Sequence, residues 1–178
     1  MSQRYSPSAA GSQAGPTPWR AGAACHTRPM ELRELMTIRV EVNPPESFGP
    51  FPLGERRLVT FDGGTFEGPD IRGTIARGGV DWQLVMPDGT VEIRAHYALR
   101  TDEGDAIEVV SEGVRAAPPE VMARLNAGVR VDPSEYYFRT HVRLTTGSER
   151  WDRLNRVLGV AWGERAPRGV AIHVHEVT

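Results

Sequence analysis

The sequence predicts an all-β fold, and a barrel in preference to a sandwich. Three observations carry that expectation. From Leu35 onward, short runs rich in β-branched and aromatic residues are separated by turn residues at hairpin spacing. In "VEIRAHYALR" the alternation is strict, with Val91, Ile93, Ala95, Tyr97 and Leu99 interleaved with Glu92, Arg94, His96, Ala98 and Arg100, the period-2 signature of a half-buried strand. Only two stretches carry a helical pattern, and "ARGGVDWQLVMPDGTVEIRAHYALRTDEGDAIEVVSEG" has the form of successive antiparallel meander strands.

Residues 1–34 form the first segment and are expected to be a disordered tail. Their Ser, Ala, Gly, Pro and Gln content has no apolar period, so they cannot bury enough surface to offset the entropy of ordering. Met30 opens "MELRELMTIRVEV" and is a candidate alternative start of translation, which N-terminal peptides from residues 2 to 29 in native protein would reject. A single domain is expected over 35–178. Its strands are expected near 36–43, 56–61, 65–75, 81–87, 90–100, 105–113, 135–145, 157–163 and 169–177. "PDGT" at 87–90 and "TDEGDA" at 101–106 supply hairpin turns. "PPEVMARLNAG" (118–128) begins with Pro, keeps apolar residues at helical spacing and ends on Gly. "SERWDRLN" (148–155) begins with a capping Ser and puts Trp151, Leu154 and Asn155 on one face.

The glycine pairs Gly63-Gly64 and Gly78-Gly79 raise the question of a phosphate cradle. Such cradles use backbone N–H groups where a strand leads into a helix. Here strand-like sequence resumes after each pair, so bulges and tight barrel corners are the expectation.

Composition excludes several function classes. The net charge of −2 and the interspersed arginines and acids argue against a nucleic-acid-binding surface. No apolar run approaches the roughly 20 residues needed to span a bilayer, and the start lacks a compact apolar signal segment. One cysteine, Cys25, has no internal disulfide partner, which fits a cytoplasmic protein. All 21 Lys+Arg residues are arginine. Schiff-base chemistry and covalent pyridoxal phosphate attachment, which need a lysine amine, are therefore excluded.

The motifs "GGTFEGP", "GGVDW", "DGTVEIRAHYALRT", "YYFR" and "RLNRVLGV" together resemble a bacterial and fungal family, domain of unknown function 3237 or uncharacterised protein family 0311, over about residues 35–177. The resemblance implies a closed antiparallel β-barrel of lipocalin-like appearance, with about 8–10 strands and one or two short helices. It implies no established activity. The chain departs from the family pattern at "RWDRLN", which displaces Trp151 relative to Asn155.

The candidate site residues come from strand faces. Asp81, just past the second glycine pair, is a candidate general base, with Trp82 as its stacking wall and indole desolvation raising its pKa. The plainer reading has Asp81 capping the turn and Trp82 in the core. Strand 135–145 divides into Tyr136, Phe138, Thr140, Val142 and Leu144 against Tyr137, Arg139, His141 and Arg143. Arg139 with Tyr137 can anchor a carboxylate or enolate, unless that face is simply solvated. His96 or His141 is the candidate proton partner. Tyr136, Trp82 and Asn155 are expected to shape the pocket. His173 and His175 share a strand face, as in some metal-binding barrels, and a zinc or iron site would need His141 or a Glu as third ligand; the spacing is common by chance, and no metal is assigned.

The expectation is a cofactor-independent barrel binding a mostly apolar small molecule with a carbonyl or carboxylate. Its chemistry, if any, is acid–base work such as isomerisation, cyclisation, dehydration or lactone chemistry. The rivals are a lipocalin-like carrier without turnover and an interaction protein that forms homo-oligomers through a strand face.

Overall fold

Alternation along the strands decides the architecture. A computed structural model of the chain describes residues 29–166 and 169–178, and most of the expected tail, with Cys25, lies outside them. The strands are β1 (Leu32–Val42), β2 (Glu46–Phe51), β3 (Gly54–Glu67), β4 (Arg72–Ile75), β5 (Val80–Val85), β6 (Val91–Thr101), β7 (Ala106–Ala116), β8 (Tyr137–Thr146), β9 (Gly159–Ala166) and β10 (Gly169–Val177). The first strand thus begins inside the stretch expected as tail. One α-helix, α1 (Pro119–Asn126), lies between β7 and β8. Short 3-10 helices occupy Pro133–Glu135 and Glu149–Arg156.

All pairings are antiparallel, in the order β1-β10-β9-β8-β7-β6-β4-β3-β2, with β5 between β3 and β6. The ring closes because β1 pairs on one edge with β10 and on the other with β3, through Ile38↔Phe66 and Val40↔Gly64. Two places in the ring are each filled by two strands. β4 and β5 pair with successive parts of β3 and β6, and β2 continues the place of β1 beyond Asn43-Pro44-Pro45 along β3. The result is the closed antiparallel barrel that the sequence predicts, and closure leaves few free sheet edges.

Every second residue of a barrel strand faces inward. On β6, Val91, Ile93, Ala95, Tyr97, Leu99 and Thr101 are all buried. Met36, Ile38, Phe66, Ile107, Val109, Val142, Leu144 and Val174 add to the same core, each such burial contributing about 1.5–3 kcal/mol. The 3-10 helix at Glu149–Arg156 buries Trp151 and Leu154, whose separation of three suits its tighter turn. It lies beside Leu35 and Ile71, at the end of the barrel where β1 begins. α1 lies at the opposite end: its last residue Asn126 borders a groove shared with Asn43-Pro44-Pro45.

Three local expectations are corrected. Residues 56–75 do not divide at the first glycine pair; β3 runs through Gly63-Gly64, and the turn falls at 68–71. β2 is an addition to the expected strands, because "ESFGPF" carries Gly and Pro. It tolerates them as an outer strand, with a register shift between Ser47 and Pro50. Ser148 occupies the position before its helix but makes no side-chain capping bond. No helix among the described residues is long and apolar enough to cross a membrane.

The glycine pair in β3 marks a barrel corner. There β3 changes partners, from β2 and β5 to β1 and β4. Gly64 has φ +139°, and a Cβ on it would stand 2.1 Å from the Arg39 carbonyl oxygen. Gly64→Ala is expected to destabilise the barrel by roughly 1–3 kcal/mol through backbone strain alone, and by more where the β1–β3 contact must open. Urea unfolding of the two proteins checks this; equal midpoints would contradict the corner assignment.

Candidate functional site

Inside the closed ring, toward the end bearing α1, the side chains leave a cavity of about 50 Å³, room for more than one water or a small organic fragment. Its wall is largely apolar, from Val40, Val59, Phe61, Ile93, Phe138 and Ile172. Into that wall project Asp81, Gln83, Ser111, Arg115, Thr140 and Arg165.

Asp81 faces inward because β5 places Asp81 and Gln83 on the buried face and Trp82 on the other. Between the Asp81↔Ala95 and Leu84↔Glu92 pairs the β5–β6 ladder lapses. In that gap the Arg94 backbone N–H donates to Asp81 Oδ1 at 3.0 Å, and Gln83 Nε2 donates to Oδ2 at 2.6 Å. Burial raises the Asp81 pKa; those two hydrogen bonds and the nearby Arg115 and Arg165 charges oppose the rise without cancelling it. Gly79 makes the placement sterically feasible: a Cβ there would stand 2.6 Å from Tyr97 Cβ and 2.7 Å from the Phe61 ring. Those two rings pack edge to face at 5.3 Å in the cavity wall.

Arg115 and Arg165 are residues of the site that the sequence pattern does not single out. Arg115 is 7% exposed, and burial, with repulsion from Arg165, brings its pKa down to about 10 against the attraction of Asp81. Burial likewise lowers the Arg165 pKa. Arg115 Nε and Thr140 Oγ1 are buried without a hydrogen-bond partner among the described residues. Strand parity does carry a signal for both arginines. Arg115 continues the Ile107, Val109, Ser111 face of β7, and Arg165 continues the Gly159, Ala161, Gly163 face of β9. Each lies just beyond the expected strand end, at 113 and 163, where polar residues resemble a turn.

The other candidates from the sequence divide by face. Tyr136 is buried, and its hydroxyl accepts a 2.9 Å bond from the Arg165 backbone N–H, so it fixes the strand that carries Arg165. Arg139, His141 and Tyr137 lie on the outer face of β8, with Arg139 over the Tyr137 ring at 5.3 Å and His141 near Glu112. His96 is also outside, at 2.8 Å from Glu108. Trp82 is outside and tilts against Phe48 at 5.5 Å. The expected grouping of Asp81 with Arg139 and a histidine therefore does not form: side-chain alternation sends them to opposite faces of the barrel wall. Asn155 serves local structure, accepting from Thr146 N and donating to Thr146 O. His173 stacks on Trp162 at 3.8 Å and bonds Thr37 through Nδ1, while His175 Nδ1 bonds the His173 carbonyl oxygen. No group of three or more His, Cys, Asp or Glu placed to hold a metal occurs among the described residues.

Fold and cavity together define a closed β-barrel with a small, charge-bearing interior chamber. The model of a family described as protein of unknown function, DUF3237, matches residues 30–177, and the chain belongs to that family. A UPF0311 protein of Rhodopseudomonas palustris is 34% identical over 151 residues, 85% of this chain and 99% of that protein. The crystal structure of a conserved protein of unknown function from the same organism superposes with a TM-score of 0.82 at 34% identity, covering 85% of this chain and all (100%) of that one. A β-barrel-like protein from Acinetobacter baumannii gives 0.75 at 32% identity over 85% of this chain and 98% of that one. An enzyme from Penicillium herquei gives 0.65 at 21% identity over 85% and 96%, a likeness of fold.

The raised Asp81 pKa has a signed consequence. A carboxyl whose folded pKa lies above its unfolded value, near 3.8, favours the fold while protonated, and that contribution is lost as pH rises through the folded pKa. Asp81→Asn, a neutral isostere, is therefore expected to raise Tm at neutral pH, with the advantage vanishing as pH falls below about 4. Thermal melts of both proteins across that range check the sign; a variant less stable at neutral pH would reverse it.

Proposed function

We propose that the barrel is a small-molecule enzyme that performs cofactor-independent acid–base chemistry, with Asp81 as the proton-transferring group. One observation carries the reading: a carboxyl, buried and raised in pKa, opens onto an otherwise mostly apolar chamber. Such a group takes and returns protons more readily near neutral pH than a solvated aspartate does. The Arg94 N–H and the Gln83 amide hold both of its oxygens, so the carboxyl is aimed before any ligand arrives. The substrate is a compact, mostly apolar compound with a carbonyl that acidifies a neighbouring C–H or O–H. Isomerisation, cyclisation, dehydration and lactone opening or closure all meet that description. His96 and His141 take no part in this reading, since both lie outside the wall. The fold supports an enzyme only by analogy, through the Penicillium herquei barrel.

The competing reading is a carrier without turnover, favoured by the apolar share of the cavity wall. The two part on one experiment. Native mass spectrometry of freshly purified protein identifies a co-purifying small molecule, which is then returned to wild-type protein and to Asp81→Asn. An enzyme converts the compound, and Asp81→Asn slows conversion by about 10²–10⁴-fold while still binding it. A carrier holds the compound unchanged in both proteins, and that result would exclude the proposal.

A further inference from the structure

The cavity wall holds more positive charge than negative. Among its described residues Asp81 is the one acid, whereas Arg115 and Arg165 are both cationic. Neither arginine forms an ion pair with a described residue, although each is close enough to Asp81 to feel its charge. Arg57, paired with Glu55 at 2.7 Å, adds to the repulsion on Arg115. Burying like charges together is unfavourable unless a counter-charge joins them, and the described wall of the chamber supplies only Asp81.

Geometry indicates what that counter-charge is. Arg115 Nε, buried and unpartnered, forms with an adjacent Nη the planar fork that takes both oxygens of a carboxylate. Thr140 Oγ1, also buried and unpartnered, is a further donor on the same wall. Spherical or fully hydrated anions do not match the apolar remainder of the chamber. Arg165 and Val42 also line the groove between α1 and Asn43-Pro44-Pro45, together with Glu41 and Asp62, so a ligand longer than the chamber can extend that way only with an uncharged or cationic end.

We propose that the chamber binds an organic monocarboxylate, with its carboxylate held by Arg115, Arg165 and Thr140 and its apolar body against Phe61, Ile93 and Phe138. This deepens the acid–base reading by naming the substrate class, and it rests on the chamber being the ligand site. The anion anchor expected at Arg139 and Tyr137 is thereby replaced by a pair on the inside of the same barrel.

The test uses the full chain, with acetate and propionate each titrated against its amide, by calorimetry and thermal shift. Each carboxylate is expected to bind at least tenfold more tightly than its amide. Arg115→Met and Arg165→Met are each expected to abolish that preference, with circular dichroism confirming the fold. Asp81→Asn is expected to strengthen acetate binding several-fold, because it removes the one negative charge on the described wall. Equal binding of carboxylate and amide would overturn the proposal, as would sulfate matching acetate, or a preference surviving in both arginine variants. A carboxylate preference alongside undiminished turnover of the co-purifying compound in Asp81→Asn would sink the acid–base reading while leaving this one standing.

Discussion

Closure of the ring at β1 is the constraint on which the rest depends. One strand pairs with β10 along one edge and with β3 along the other. Once both ladders form, each barrel strand has an inside and an outside, and residue parity decides which environment a side chain meets. Polarity does not enter into that choice. Arg115 and Asp81 are buried for the same reason as Ile107 and Val91. The pKa shifts of the interior groups are consequences of closure, since an open sheet would leave those groups in water. The site is therefore a property of the closed barrel, with its residues contributed by β5, β7, β8 and β9 far apart in sequence.

This explains how much of the molecule is legible in the sequence. Strand alternation is local, so β6 and β8 divide into faces by residue parity, and the observed burial follows that division. Asp81 stands out as a candidate because it follows a glycine pair, and it does face inward. The choice of face on β8 is harder. The polar set Tyr137, Arg139 and His141 looks like chemistry, but its parity is opposite to that of the buried Phe138 and Val142, which puts it in solvent. The arginines that do face the chamber sit at strand ends beyond the apolar run, where composition alone suggests a turn. What orders them as strand is pairing with a distant neighbour: Arg115 opposite Phe138, and Arg165 opposite Val170. Partner identity is a non-local property, and a single sequence does not display it.

The glycines show the same division between local and non-local information. That glycine pairs mark corners and turns follows from their freedom at positive φ. Which contact demands them does not. Gly64 is required by the Arg39 carbonyl on β1, and Gly79 by the Phe61–Tyr97 pair from β3 and β6. Gly78 and Gly79 interrupt a single place in the ring, separating β4 from β5. The interruption resets the chain so that Asp81, two residues further on, enters the interior below the aromatic pair.

The energetics of the chamber then separate structure from function. Each buried polar group without a partner costs about 1–3 kcal/mol, and Arg115 adds repulsion from a second guanidinium. A barrel selected only for stability would fill these positions with aliphatic side chains, as it does with Val40 and Ile172 elsewhere in the same wall. Replacing buried charge by apolar residues of similar size is commonly neutral or stabilising. Asp81 returns part of its cost by accepting the Arg94 N–H and the Gln83 amide, but retaining Arg115 and Arg165 inside a largely apolar wall is a standing cost with no ion pair among the described residues to offset it. The contrast with Glu176 makes the point. That carboxylate is also buried, but Arg33 and Arg153 meet it at 2.9 and 2.6 Å, and its pKa is lowered by them despite burial. There the charges satisfy one another and lock the chain end to its neighbours. In the chamber they remain unbalanced, and an unbalanced, preorganised charge set is what a protein holds ready for a ligand rather than for its own fold.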